Sequence, residues 1–194
     1  MTASRDARGV LLDELRAHAL VIGEVTLTSG RTASYYVDAK RALLRPRAFR
    51  ATGELVAAAA ADLGATAVGG MSIGADPIAC AALAAPGSDG LTAFFVRKER
   101  KDHGLQRWLE GPDLAAGTPC LVVEDVVTTG GSTVRAIERI DAEGLEVRGA
   151  LCVVDRLSGG RDAIEAAGGS PFRALVSIDE LYPERPDRPD RPDR

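Results

Sequence analysis

The sequence predicts an α/β fold built on a mostly parallel sheet with helices on both faces. Three observations carry that reading. Short β-prone runs, apolar at nearly every position, recur at 67–70, 92–96, 119–123, 147–154 and 173–176. Helix-favouring segments alternate with them, near 77–85, 132–142 and 161–167. Strands without polar alternation are buried on both sides, and regular alternation with helices is the mark of parallel crossovers. At 194 residues, 45% hydrophobic and 27% charged, the chain suits one domain with its own core.

From the N-terminus, Val10, Leu11, Leu15 and Ala19 fall on one stripe at helical spacing, which predicts a first helix over 6–20. Gly23 closes that region. Glu24-Val25-Thr26-Leu27-Thr28 then alternates polar with apolar, Ser29-Gly30-Arg31 signals a turn, and Tyr35-Tyr36-Val37 resumes β character. A hairpin over 24–38 follows. Pro46 suits a helical first turn, the alanine-rich run to Leu63 propagates it, and Gly64 suits its end. Beyond lie the alternating strands and helices, with Ser132 or Thr133 expected to cap the helix at 132–142. The Pro-Asp-Arg repeats of 183–194 offer no apolar surface and few backbone donors, so they read as a disordered, extended tail outside a single domain of 1–182.

Composition narrows the function. A net charge of −4 disfavours a general nucleic-acid-binding role. No run approaches the roughly 18 apolar residues that span a bilayer. The first six residues carry charge and no apolar core, unlike a secretory signal. Cys80, Cys120 and Cys152 lie far apart, each in an apolar run, and are expected as buried reduced thiols. A cytoplasmic location, with no membrane and no nucleic-acid partner, is the expectation.

The segment that carries chemistry follows the apolar run Leu121-Val122-Val123. Glu124 and Asp125 are adjacent acids at the end of the predicted strand. Val126, Val127, Thr128, Thr129, Gly130, Gly131 and Ser132 then lead into an amphipathic helix. A Thr/Gly loop presents backbone N–H groups and hydroxyls with little steric cover, and a helix start favours a phosphate. The loop lacks the Gly-Lys-Ser/Thr of a Walker A sequence and the spacing GxGxxG. Two acids ahead of a phosphate loop suit a sugar phosphate, with carboxylates accepting from vicinal hydroxyls. An ordinary strand–turn–helix junction has no packing use for adjacent acids, and burying them unpaired is costly.

A second cluster follows Phe94-Phe95-Val96. Arg97, Lys98, Arg100, Lys101 and His103 fall within seven residues of an otherwise acidic chain, ahead of Gly104. Charge runs are usually solvated loops. This one follows a strand end, where ligands bind in parallel sheets.

Residues 122–133 resemble the 5-phosphoribosyl-1-pyrophosphate (PRPP) motif of type I phosphoribosyltransferases. The string from Arg97 to Gly104 resembles the catalytic loop of orotate phosphoribosyltransferases in particular, with Arg97, Lys98, Lys101, His103 and Gly104 all matching Arg-Lys-x-x-Lys-x-His-Gly. The resemblance covers about 20–160. It implies the type I phosphoribosyltransferase fold, with a helix and hairpin hood over about 1–45 and an α/β core over 46–182. It implies transfer of phosphoribose from PRPP to orotate, giving orotidine 5′-monophosphate in pyrimidine biosynthesis. It implies magnesium, carried mainly by PRPP with no side-chain ligand assigned, and a homodimer whose subunits share active sites.

By the same resemblance Lys101, His103 and Asp125 are catalytic. Arg97, Lys98, Lys101, His103, Glu124, Asp125 and the loop 126–132 bind PRPP. Thr128, Arg156 and Tyr36 meet orotate. Arg156 ends the strand Val153-Val154-Asp155, and its planar fork can pair bidentately with a carboxylate, which is what separates orotate from uracil. An ordinary surface ion pair is the plainer alternative. The chain departs from the family pattern at Thr28 and at Ile73-Gly74, where many members carry lysine, and at Val37, where many carry an aromatic. Trp108 has no assigned role beyond packing at the loop's base. Two rivals stay open: transfer to another base, and a regulatory protein that keeps the fold but binds nucleic acid.

Overall fold

The computed structural model describes residues 2–26, 32–99 and 107–189. Helix α1 (Thr2–His18) gives way to strand β1 (Leu20–Thr26), antiparallel to β2 (Thr32–Val37). The helix therefore lies earlier than 6–20, and the hairpin begins at Leu20 rather than residue 24. The Ala-Leu-Val-Ile run can join either element; β2 decides it, because Leu20, Val21 and Ile22 find partners in Val37, Tyr36 and Tyr35. A short unanticipated helix, α2 (Lys40–Leu43), leads into α3 (Pro46–Asp62). Pro46 lies in its first turn and Gly64, at φ 65°, just beyond its end, as the sequence suggests.

The main sheet has the order β5-β4-β3-β6-β7-β8. Its strands are β3 (Ala67–Met71), β4 (Thr92–Val96), β5 (Leu109–Glu110), β6 (Pro119–Val127), β7 (Glu146–Asp155) and β8 (Phe172–Ser177). All pairs are parallel except β4 with β5, a two-residue edge strand too short to announce itself in sequence. Between and after them come α4 (Asp76–Leu83), α5 (Gly131–Ala142), α6 (Gly160–Ala166) and α7 (Ile178–Leu181). The last was not anticipated; Ser177 and Glu180 close it with a reciprocal capping box.

Side chains of β6 show why its sequence is apolar throughout. Leu121 and Val123 pack with α1, α3 and α4, whereas Cys120 and Val122 pack with α5 and α6. The chain leaves β3 toward β4 on one side, and β6 continues to β7 on the other. The carboxyl ends of β3 and β6 flank that switch point, where open α/β sheets bind ligands.

Two expectations change here. Cys120 and Cys152 are buried, and burial pushes the Cys120 thiol up to about 12. Cys80 is exposed, because α4 turns Ile78, Ala79, Ala81 and Ala82 inward. In so alanine-rich a helix the periodicity could not tell which side faced out. The segment from Pro183 also differs from a tail held apart: Arg185 is 4% exposed, pairing with Asp179 and with Asp187 at 3.3 Å. Residues 190–194 lie outside the described residues. Among the described residues no helix is long and apolar enough to cross a membrane.

Candidate active site

Strand β6 runs four residues beyond its predicted end, so Glu124 and Asp125 belong to the strand rather than following it. Glu124 is 5% exposed. Its carboxylate accepts from the Ser132 hydroxyl and, at 3.4 Å, from Thr133 Oγ1. Burial raises its pKa to about 7; the Ser132 hydroxyl pulls it down and the charge on Asp125 pushes it up. The sequence offers Ser132 or Thr133 as the cap of α5. The capping position belongs instead to Gly130, at φ 80°, while Ser132 turns back to the acid. An L side chain at Gly130 would be strained by that φ, and its Cβ would lie 2.8 Å from the Gly160 carbonyl oxygen. Residues 126–132 and Glu124 thus line one concave loop at the start of a twelve-residue helix.

Asp125 faces a cation that sequence reasoning missed. Lys40 Nζ lies 3.1 Å from Asp125 and 2.9 Å from Asp38. Burial alone would lower the lysine's pKa, but hydrogen bonds to Asp38 and Asp125 and the charge of both acids raise it above the ordinary range. Only the fold brings residue 40 to residue 125; no local spacing could have signalled it. The Met71–Asp76 connection after β3 approaches from the other side. A Cβ on Gly74 would lie 2.7 Å from Asp125 Oδ1 and 3.0 Å from Glu124 Oε1. Here the two carboxylates occupy the space a Cβ at 74 would need.

At the end of β7, Arg156 donates its backbone N–H to Val127 at 2.8 Å, tying it to the phosphate loop. Leu157 follows with φ 54°, uncommon for a branched side chain, and the Asp155 carboxylate accepts its N–H at 2.8 Å. That local bond holds the turn from which the Arg156 side chain leaves. The guanidinium donates to the Tyr35 hydroxyl at 2.8 Å and sits 4.7 Å from that ring's centre. The tyrosine that meets Arg156 is Tyr35, a contact no sequence signal announced; Tyr36, expected beside orotate, is its neighbour on β2. Adjacent strand residues point to opposite faces, and Tyr36 stands outward with 39% exposure.

Of the basic loop, only its two ends fall among the described residues. Arg97 pairs with Glu110 at 2.9 Å. Arg139, on α5, donates to the carbonyls of Arg97 and Lys98 and lies 4.2 Å from the centre of the Trp108 ring. Trp108 in turn donates its backbone N–H to Glu143 at 2.8 Å. Both ends of the loop are thus fastened to the helix that begins at the phosphate loop. Lys101, His103, Gly104 and the turn at 28–31 lie outside the described residues.

No family model matches the chain. A curated relative, the orotate phosphoribosyltransferase of Corynebacterium glutamicum (strain R), is 48% identical over 176 residues, covering 91% of this chain and 94% of that protein. A crystal structure of the Mycobacterium tuberculosis orotate phosphoribosyltransferase with Fe(III) dicitrate superposes with a TM-score of 0.82 at 43% identity, covering 91% of this chain and 99% of the other. A structure of the M. tuberculosis enzyme in complex with PRPP gives 0.77 at 39% identity, covering 90% and 98%. The chain belongs to the orotate phosphoribosyltransferase family.

Proposed function

We propose that this chain transfers the 5-phosphoribosyl group of PRPP to orotate, releasing pyrophosphate and forming orotidine 5′-monophosphate. The single observation that carries the reading is the β6–α5 junction, where two acids stand directly ahead of an open phosphate loop. In this reading the 5′-phosphate of PRPP lies on backbone N–H groups and hydroxyls of 128–132. The ribose hydroxyls donate to Glu124 and Asp125. Lys40 orients the Asp125 carboxylate and supplies a cation in a site that lacks lysine at positions 28 and 74. Orotate lies beside Thr128, its carboxylate on Arg156, as the family resemblance implies.

Cleavage of the C1–oxygen bond leads, and negative charge develops on the departing pyrophosphate. Lys101 and His103, with Arg97 and Lys98, are the side chains that would meet it and keep water from the cationic ribosyl centre. The orotate ring nitrogen then bonds to C1, so no protein nucleophile enters. Among the described residues no cluster of three metal-ligating side chains exists. Glu124 and Asp125 nonetheless offer the hard oxygens that magnesium accepts, directly or through water, beside PRPP's own. When bound, the ion supplies charge neutralisation to the leaving group. A homodimer with shared sites, which rests on the family resemblance, and a cytoplasmic location, which rests on the composition, complete the proposal.

Orotate absorbance, followed on adding PRPP and magnesium, tests it. Loss of the orotate band that stops with a chelator supports the reading. Faster turnover of uracil or hypoxanthine would transfer the assignment to another base.

A further inference from the structure

The C-terminal segment lies next to the residue expected to read orotate. Asp187 accepts from the Tyr35 hydroxyl with both carboxylate oxygens at 3.0 Å, while its nearest approach to Arg156 is 4.0 Å. The phenol therefore stands between the two charges, donating to Asp187 and accepting from Arg156 at 2.8 Å. A hydroxyl has one proton; committing it to Asp187 leaves its lone pairs for the guanidinium. Asp187 is itself held by Arg185 Nε at 3.3 Å, and the buried Arg185 is paired with Asp179 on α7. Tyr182 packs edge-on against Tyr35 with ring centres 5.3 Å apart. Burial, the largest influence on Tyr35, raises its pKa, Arg156 lowers it and Asp187 raises it further, so the hydroxyl keeps its proton through the neutral range. Arg156 Nε is buried without a hydrogen-bond partner among the described residues. A donor left so is costly, so on that edge no hydrogen bond holds the guanidinium and its orientation falls to the contact with Tyr35.

We propose that Tyr35 and Asp187 are positioning residues for orotate: the relay Asp187–Tyr35–Arg156 fixes the guanidinium so that its remaining donors face the incoming carboxylate. The inference rests on the orotate-reading role of Arg156 given above. It gives the Pro-Asp-Arg segment a part in the substrate pocket, through a residue that acts by way of another and touches no substrate.

Steady-state kinetics on the full-length enzyme test it, with orotate varied at saturating PRPP. D187N and Y35F are each expected to raise the KM for orotate about fivefold, the size of one modest hydrogen bond. The kcat and the KM for PRPP stay at wild-type values. The double variant is no worse than either single one, because Asp187 works only through the phenol, and D187E recovers part of the loss. An unchanged KM for orotate overturns the inference, as does an equal rise in both KM values. A lowered KM also overturns it, by showing that Asp187 competes with orotate for Arg156. The crystal structure of Y35F reads the same point without turnover: a guanidinium that stays in place counts against the relay, and one that swings away supports it. A wild-type enzyme inactive on orotate yet active on another base would remove the functional reading, and this inference with it.

Discussion

Glu124 is the residue at which energetics and function collide. Its pKa of about 7 in the fold exceeds the 4.5 of an unburied glutamate, so the folded chain holds that proton more tightly than the unfolded one. Folding therefore loses stability as pH rises from 4.5 toward 7, and the loss levels off above that. E124Q escapes it. The variant is expected to melt above wild type at pH 8, by the equivalent of about 3 kcal/mol at 1.36 kcal/mol per unit, with the gap closing toward pH 4.5. It should also bind PRPP more weakly, since an amide accepts less strongly than a carboxylate from ribose hydroxyls. Thermal melts across pH check the first half; equal melting at pH 8 would refute it. Gly130 makes the complementary case. G130A introduces a Cβ at φ 80° against the Gly160 carbonyl, and should cost about 1–3 kcal/mol, read as a lower melting temperature together with weaker phosphate binding.

At the scale of elements, α5 links two parts of the site. Its first turn follows the phosphate loop, while Arg139 in its last turn holds the backbone of Arg97 and Lys98 and covers Trp108. R139Q removes that fastening without touching substrate. Turnover should fall about tenfold, as modest misplacement of reacting groups does, with little change in orotate affinity. Trp108 is the chain's single tryptophan, so its emission on adding PRPP reports the change directly; wild-type kinetics in R139Q would show that the fastening is idle. The chemistry-bearing part of this arrangement is readable in sequence because it is local. Acids, loop and helix start occupy one continuous peptide, and five core strands show themselves as apolar runs. The capping of α5 is not readable: Ser132 and Gly130 both satisfy helix-start chemistry, and only the buried Glu124 decides between them.

Across the whole molecule, what the sequence conceals is what the fold joins over distance. Lys40 reaches Asp125, Arg139 reaches the base of the basic loop, and Asp187 reaches Tyr35 across most of the chain. Each is a contact between elements far apart in sequence, without a periodicity to betray it. Tyr35 and Tyr36 illustrate the limit, since a strand puts neighbours on opposite faces but does not say which of them turns toward Arg156. The doubly covered sheet supplies the frame, because its two apolar faces set β3, β6 and β7 side by side with their carboxyl ends together. The same burial that builds this frame lifts the pKa of Glu124.

The claim on which the account depends is that the β6–α5 junction holds a phosphorylated ribose. A crystal structure with ribose 5-phosphate measures it directly. The phosphate is expected on the backbone of 128–132 and the ribose hydroxyls on Glu124 and Asp125. Density for the ligand elsewhere, with that loop left empty, would contradict it.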